Sequence, residues 1–195
     1  QLKPLSISQL AQIIGASSTP ADALVSGVST DSRSVRPGDC FFAVKGPNFD
    51  GHDFVASAIK AGAACAVVSR PCDCPRQLIV TDTVTALADL ARWYRKNAGF
   101  KVAAVTGSAG KTTTRSMIYH VLSTRFKAHQ PKSNFNNHIG LPLSILSAAH
   151  DTEIFVAELG SSAPGEINCL TNIACPDFAI VTNAYPAHLQ GFGDI

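Results

Sequence analysis

The residues best suited to chemistry lie in one segment, Lys101 to Thr114, which reads KVAAVTGSAGKTTT. Its apolar run at 102–105 is typical of a buried parallel strand, and the two glycines after it allow a tight loop. A glycine loop that leads into a helix exposes backbone N–H groups at the positive end of the helix dipole. The segment therefore predicts a phosphate-binding loop, with Lys111 on the β- and γ-phosphates and the Thr112 hydroxyl on Mg²⁺.

The match to the usual phosphate-loop pattern, G-x-x-x-x-G-K-[ST], is incomplete because Val105 stands where the first glycine is expected. A simple glycine turn into a helix with a polar first turn would have the same residues and no ligand. The strand before the loop and the helix after it favour the nucleotide interpretation.

Two further apolar strands are predicted, at 154–157 and 178–181, and helices separate them from the first. Strands that alternate with helices indicate a parallel sheet. Because the carboxyl ends of such strands share one edge, where ligands bind, Glu158 and the residues after Asn183 are expected near the phosphate loop, and His188 follows the third strand at that edge.

Two of the candidate positions leave alternatives open. Glu158 is expected to bind Mg²⁺, although a carboxylate there could instead cap a nearby helix. Asn136 and Asn137 stand in an asparagine-rich loop, where ligand contact and ordinary turn chemistry would both suit the residue type.

The helices that position these residues have recognisable patterns. One is expected to begin at Lys111, and another, over 164–173 with Pro164 near its first turn, to join the last two strands. The buried face of the first is predicted to consist of Met117, Ile118, Val121 and Leu122.

A separate α/β module of about eighty residues is predicted before the loop. Its helices are expected over 6–15 and 52–62, and its strands over 24–28, 40–44, 63–68 and 78–80. A further helix, capped by Thr81 or Thr83 and ending near Asn97, follows it. The domain boundary is placed near Thr81, which gives domains of residues 1–81 and 82–195.

Composition excludes several classes of protein. Of the 195 residues 46% are hydrophobic and 15% charged, as in globular proteins with a core, and the net charge of +2 is too small to indicate a nucleic-acid or membrane partner. No segment approaches the roughly 18 consecutive apolar residues of a membrane span, and a signal-peptide pattern is absent. The six cysteines fit a reduced cytoplasmic protein, with three of them expected in the core, namely Cys40, Cys65 and Cys169.

Several segments together resemble the Mur ligases, and the resemblance covers essentially the whole chain. In the second half they are TGSAGKTT at 106–113, NFNNHIGLP at 134–142, AELG at 157–160, GEI at 165–167 and TNAYPAHLQGFG at 182–193. In the first half they are VSTDSR at 28–33, PGDCFFAVKG at 37–46 and FDGHDF at 49–54. The family uses a shorter loop pattern, G-x-x-G-K-[ST], so the missing glycine is expected in it.

The resemblance implies roles for particular residues. It implies that ATP is bound by the loop residues Gly107, Ser108, Ala109, Gly110, Lys111, Thr112 and Thr113, and by Asn136 and Asn137. It implies that Lys111 and His188 are catalytic, and that Mg²⁺ is held by Thr112, Glu158 and His188. In the front domain it implies that the UDP-sugar end of the substrate is held by Thr30, Ser32, Pro47, Asn48 and Phe49.

The resemblance also implies an activity and an architecture. The fold is expected to be α/β, with a small N-terminal UDP-sugar-binding domain followed by the first part of a P-loop parallel-sheet ATPase domain. The activity is that of an ATP-dependent acid–D-amino-acid ligase, which adds D-alanyl-D-alanine to UDP-N-acetylmuramoyl-tripeptide through an acyl phosphate in peptidoglycan synthesis. A cytoplasmic monomer without nucleic-acid partners is expected.

Members of the family continue beyond the histidine motif, with a carbamylated lysine and a C-terminal domain, so the 195 residues are expected to be inactive alone. One alternative is a sister ligase that adds the third amino acid to UDP-muramoyl-dipeptide. The other is a non-catalytic UDP-sugar-binding homologue.

Overall fold

The computed structural model describes residues 2–17, 22–131 and 134–186. The chain forms two compact units, Gln1–Leu90 and Ala91–Ile195. The division falls later than the predicted boundary near Thr81, inside a helix rather than before it, because that helix supplies packing residues along its whole length. The assignment of residues 1–81 and 82–195 to two functional domains stays a prediction.

The first unit begins with a small antiparallel ribbon and a helix. Strand β1 (Leu5–Ser6) pairs with β2 (Leu24–Val25), and helix α1 (Ile7–Ile14) lies between them in the chain. Ser6 and Gln9 form a capping box at the start of α1, and Gly15, with φ of 64°, ends it. The predicted helix is thus confirmed at both ends.

The core of the first unit is a four-stranded parallel sheet. Its strands are β3 (Gly27–Ser29), β4 (Asp39–Phe42), β5 (Cys65–Val68) and β6 (Gln77–Ile79), in the order β3-β4-β5-β6. The single strand predicted over 24–28 is wrong, because the chain leaves the ribbon at Ser26, whose N–H bonds the Gly38 carbonyl at 2.9 Å, and then enters the parallel sheet.

A short helical segment connects β4 to β5. It starts as a 3-10 turn (Gly51–Phe54), capped by the Asp50 carboxylate, and continues as α2 (Val55–Lys60). The predicted helix at 52–62 is therefore present but begins with a tighter turn. Cys40 and Cys65 are buried opposite each other on β4 and β5, with their Sγ atoms 3.5 Å apart, as expected for core cysteines.

Helix α3 (Thr83–Asn97) contains the division between the units. Its cap is neither Thr81 nor Thr83, as predicted, but Asp82, whose carboxylate accepts the Thr85 N–H at 2.6 Å. Thr83 lies inside the helix and is buried. Its hydroxyl donates to the Ala43 carbonyl at 3.1 Å.

The second unit is built on another parallel sheet. In chain order its elements are β7 (Lys101–Thr106), α4 (Lys111–Ser123), β8 (Ala128–His129), α5 (Gly140–Ser147), β9 (Ile154–Glu158), α6 (Glu166–Ala174) and β10 (Phe178–Val181). The strands lie in the order β10-β7-β9-β8, all parallel. The predicted α/β class and the parallel sheet around the loop are confirmed.

An ionic cluster holds the start of this sheet together. The Asp177 carboxylate accepts from Arg95 Nη2 at 2.7 Å, Lys101 Nζ at 2.9 Å and the Val102 N–H at 2.8 Å. The Lys101 ammonium and the Val102 N–H hold the pKa of the Asp177 carboxyl below its ordinary value.

Two expectations about this unit are wrong, and one helix begins later than expected. Of the predicted buried face of α4, Met117 and Val121 are 64% and 69% exposed, whereas Ile118 and Leu122 are half-buried. The helix predicted over 164–173 is present as α6, but it begins after Pro164, because Gly165 adopts a φ of 86° just before it. Cys169 is exposed on α6, since the inward face of that helix consists of Leu170, Ile173 and Ala174. Within the described ranges, none of the helices combines the length and apolarity needed to cross a membrane.

Candidate active site

The phosphate loop lies between β7 and α4, as predicted. Gly107 has a φ of 131°, and a Cβ there would come within 2.9 Å of the Asn183 carbonyl and closer still to Thr182 Oγ1. Gly110 has a φ of 79° and immediately precedes the helix. Both positions therefore require glycine, the first for conformation and space and the second for conformation alone.

The start of α4 presents unpaired backbone donors. The first helical bond runs from the Thr114 N–H to the Gly110 carbonyl at 2.9 Å. The N–H groups of Lys111, Thr112 and Thr113 precede it and so have no carbonyl partner within the helix. Together with the helix dipole they form a cradle for an anion.

Lys111 places its ammonium over this cradle. Its Nζ donates to the Gly107 carbonyl at 2.7 Å and is 3.4 Å from the Ser108 carbonyl. The side chain thus folds back onto the loop rather than into solvent. An anion in the cradle would lie beside this positive charge.

Glu158 ends β9 in register with Val105, at the carboxyl edge of the sheet. It is 2% exposed and is surrounded by donors. Thr112 Oγ1 donates to Glu158 Oε2 at 2.9 Å, Asn136 Nδ2 donates to Oε1 at 2.8 Å, and Arg115 Nη1 lies 3.4 Å from Oε2. A carboxylate and a hydroxyl oxygen in contact at the end of a phosphate loop are suitable ligands for Mg²⁺.

The described residues contain no cluster of three or more His, Cys, Asp or Glu side chains that could hold a metal. Thr112 and Glu158 fit Mg²⁺ as partial ligands, with phosphate oxygens and water completing the shell, which is how this ion is usually bound beside nucleotides. His188, the third predicted ligand, lies outside the described residues.

The two predicted asparagines have different surroundings. Asn136 holds Glu158 with its side chain, and its carbonyl accepts the Gly160 N–H at 2.9 Å. Asn137 Oδ1 instead accepts the N–H groups of Ile139, at 3.1 Å, and Gly140, at 2.8 Å. Asn137 therefore forms the turn that starts α5 and Asn136 binds the Glu158 carboxylate, while both residues also line a cavity beside Lys111.

A cavity of about 590 Å³ adjoins the loop. Lys111, Asn136 and Ser161 contribute to its lining, as does Glu166 at the start of α6. Glu166 Oε2 accepts the Ser162 N–H at 2.6 Å and the Ala163 N–H at 3.1 Å, and these bonds lower the pKa of its carboxyl. The cavity thus has a cation on one side and a carboxylate on another.

The first unit has its own cavity, of about 370 Å³. Thr30, Ser32 and Phe49 line it, together with Phe54 and the Asp31–Arg33 ion pair. The hydrogen bonds from Arg33 lower the pKa of Asp31 to about 2. Phe49 and Phe54 are 53% and 43% exposed, so their rings are available to a planar ligand.

The loop that carries Phe49 is fastened at its base by a buried histidine. His52 Nε2 accepts the Ser69 N–H at 3.0 Å, so Nδ1 carries the proton and donates to Asp50 Oδ1 at 2.6 Å. Arg70 Nη1 donates to Asp50 Oδ2 at 2.9 Å. The hydrogen bonds from the backbone and side chain of His52 hold the pKa of the Asp50 carboxyl well below its usual range.

Two protein-family profiles match the chain. The profile of the Mur ligase family, catalytic domain, matches residues 24–149, and that of the Mur ligase middle domain matches residues 105–195. The chain belongs to the Mur ligase family.

Two curated relatives of this Mur ligase chain have the same name. The UDP-N-acetylmuramoyl-tripeptide–D-alanyl-D-alanine ligase of Bacillus subtilis is 45% identical over 174 residues, which are 87% of this chain and 38% of the relative. The ligase of the same name from Escherichia coli is 39% identical over 192 residues, 98% of this chain and 42% of the relative. The chain thus spans about two fifths of these relatives.

Solved structures of similar proteins have the same fold as this chain. A MurF structure from Acinetobacter baumannii has a TM-score of 0.91 and 38% identity, covering 98% of this chain and 44% of that one. MurF of Thermotoga maritima in complex with ADP has a TM-score of 0.78 and 41% identity, covering 84% of this chain and 38% of that one. A ligase structure named for 2,6-diaminopimelate, 19% identical with a TM-score of 0.56, shares the fold alone.

The structure brings together most of the residues predicted for the Mur ligase site. In the second unit the loop, Thr112, Asn136 and Glu158 lie in contact. In the first unit Thr30, Ser32 and Phe49 share a cavity, whereas Pro47 and Asn48 do not line it. The ligand contacts of all these residues stay predictions.

Sequence reasoning missed the roles of Arg115, of Asn183 and of the cavity beside the loop. Arg115 is a charged residue on a helical pattern, and no local signal shows that it points inward. The position of Asn183 directly after the third strand indicated that it lies at the ligand edge of the sheet. Nothing in the sequence indicated that its side chain binds the phosphate loop.

Proposed function

We propose that this chain is part of an ATP-dependent ligase that adds D-alanyl-D-alanine to UDP-N-acetylmuramoyl-tripeptide in peptidoglycan synthesis, as a cytoplasmic monomer. The observation that carries the proposal is the contact between Thr112 and Glu158 directly beside the Lys111 cradle. The names of the relatives and the ADP complex of a 41% identical structure support it.

The proposed chemistry uses the groups at the edge of the second sheet. The N–H groups at the start of α4 bind the phosphates of ATP, and Lys111 stabilises the charge that builds on the γ-phosphoryl group as it passes to the substrate carboxylate. Thr112 and Glu158 would hold Mg²⁺, which supplies further charge neutralisation when bound. Asn136 keeps the Glu158 carboxylate in its orientation.

The cavity of about 590 Å³ is the proposed location of the phosphoryl acceptor, because it opens onto Lys111. The terminal carboxylate of the tripeptide attacks the γ-phosphorus, ADP leaves, and an acyl phosphate forms. The amine of D-alanyl-D-alanine then attacks the acyl carbon, and the tetrahedral intermediate loses phosphate to give the amide. In the first unit, Thr30, Ser32 and the Pro47–Asn48–Phe49 loop are proposed to bind the UDP-sugar end.

The decisive experiment is a Lys111→Ala substitution in a full-length ligase. We expect kcat/KM for ATP to fall by about 10²-fold or more, since one group that stabilises transition-state charge is lost. Lys96→Ala, at an exposed position on α3, is the matched control and should leave turnover unchanged. Undiminished ATP turnover in Lys111→Ala would refute the phosphate role of Lys111, whereas absence of ATP turnover in the parent would favour a non-catalytic homologue.

The choice of substrate is tested with the same protein. Turnover should require UDP-N-acetylmuramoyl-tripeptide with D-alanyl-D-alanine, and a preference for the dipeptide precursor with a single amino acid would favour the sister ligase. Phe49→Ala should raise the KM for the UDP substrate roughly 5- to 100-fold if the ring stacks on the base. Leu24→Ala, 65% exposed in the same unit, is its control.

A further inference from the structure

The segment after β10 forms hydrogen bonds with the first half of the phosphate loop. The Asn183 amide forms a reciprocal pair with the backbone of one loop residue: the Ala109 N–H donates to Asn183 Oδ1 at 2.9 Å, and Asn183 Nδ2 donates to the Ala109 carbonyl at 3.1 Å. Thr182 Oγ1 donates to the same carbonyl at 2.7 Å. Side chains therefore bind both the N–H and the carbonyl of Ala109.

The neighbouring loop residue is held in the same way. The Ser108 N–H donates to the Asn183 carbonyl at 3.2 Å. The Ser108 hydroxyl donates to the Tyr185 carbonyl at 2.8 Å and accepts the Tyr185 N–H at 2.9 Å. Gly107 lies directly against Thr182 and Asn183, where a Cβ would not fit.

These bonds divide the donors of the loop into two groups. The N–H groups of Ser108 and Ala109 are bound by the protein, so they point away from a ligand. The donors left for phosphate are those at the start of α4. Lys111 depends on the same arrangement, because its Nζ donates to the Gly107 carbonyl and lies near that of Ser108.

We propose that Asn183 is a positioning residue that holds the phosphate loop in its binding shape, so that ATP meets a preformed cradle. The inference rests on the proposed function, since it takes ATP to be the ligand of this loop. Asparagine suits the role because only a primary amide offers a donor and an acceptor side by side. An aspartate would keep the acceptor but turn a second oxygen toward the Ala109 carbonyl, close to the phosphates.

The test compares Asn183→Ala and Asn183→Asp with the parent in a full-length ligase. Equilibrium titration with ATP gives the affinity, and steady-state kinetics give the KM for each substrate. We expect Asn183→Ala to weaken ATP binding about 10- to 100-fold, since two hydrogen bonds to the loop are lost, and to leave the KM values of the other two substrates within 2-fold. Asn183→Asp should bind ATP more weakly still, since the added charge repels phosphate.

Two comparisons make the result decisive. Asn172→Ala, at an exposed position of α6, should leave ATP affinity unchanged. ATP affinity within 2-fold of the parent in Asn183→Ala, or an equal rise in all three KM values, would overturn the proposal. If Asn183→Ala fails to fold, the near-isosteric Asn183→Asp is measured in its place. ATP affinity within 2-fold of the parent in that variant would likewise overturn the proposal.

Lys111→Ala separates this inference from the proposed function. Lost turnover in Lys111→Ala with normal ATP binding in Asn183→Ala would overturn the role of Asn183 alone. Absence of ATP turnover in the parent would overturn the function, and the role of Asn183 with it.

Discussion

Arg115 provides the sharpest test of how the site is stabilised. Its side chain is 6% exposed, and the Glu158 side chain that it faces is 3% exposed. Removing one partner of a buried ion pair leaves the other charge uncompensated in a medium of low polarity, which costs about 3–5 kcal/mol. The 3.4 Å separation of Nη1 and Oε2 is long for such a pair. We therefore expect Arg115→Met to destabilise the second unit by about 3 kcal/mol, the lower end of that range.

The pair is isolated by a double-mutant cycle. Glu158→Gln should cost a similar amount, because it leaves the Arg115 guanidinium without its carboxylate. The double variant Arg115→Met with Glu158→Gln buries no charge and should cost at least about 1.5 kcal/mol less than the sum of the single changes.

Urea unfolding measures these costs. The only tryptophan of the chain, Trp93, lies in the second unit, so its fluorescence reports on that unit. Arg125→Met, at an exposed position just after α4, is the control and should stay within about 0.5 kcal/mol of the parent. A cost below about 1 kcal/mol for Arg115→Met, or additivity within about 0.5 kcal/mol, would refute the reasoning.

Three further predictions concern other parts of the chain. Gly107→Ala should lower the urea midpoint more than Gly110→Ala. A Cβ at 107 would collide with Thr182 and Asn183, whereas a Cβ at 110 has no atom within 4 Å and is opposed only by the positive φ. Equal effects of the two substitutions would contradict the close packing at Gly107. Asp177→Asn should lower the midpoint less at pH 3 than at pH 7. A carboxyl whose pKa is lowered by folding stabilises the protein fully above its unfolded pKa of about 3.9, and this effect is lost as pH falls through the lower folded pKa; equal losses at both pH values would refute it. His52→Ala should raise the KM for the UDP substrate without changing that for ATP, because it frees the base of the Phe49 loop, and unchanged kinetics would contradict this.

The parts of the fold that could be predicted are those with a local cause. The strand, the glycine loop and the helix start at 101–114 follow from apolar runs and glycine positions in the segment itself. The place of Glu158 beside the loop follows from a parallel sheet, in which strand ends share an edge. The capping box of α1 is likewise encoded within a few residues, Ser6 to Gln9.

What could not be predicted depends on contacts between distant segments. The chain leaves the ribbon at Ser26 because of a hydrogen bond to Gly38. Nothing in residues 24–28 themselves indicates that the strand is interrupted there. Asn136 and Asn137 are neighbours of the same type, yet one contacts a buried carboxylate and the other starts a helix. Only the course of the chain around them separates the two roles.

Helix α4 shows why apolar periodicity misled at the site itself. The loop fixes the rotation of the helix, because Lys111 and Thr112 must both face the carboxyl edge of the sheet. One turn later the same face carries Arg115, which is buried against Glu158, and the apolar residues Met117 and Val121 point to the other side. A helix placed only to bury apolar area would be rotated so that Met117 and Val121 also faced inward. The conflict between local pattern and structure therefore occurs where charged groups are collected around a ligand, as expected of a functional site.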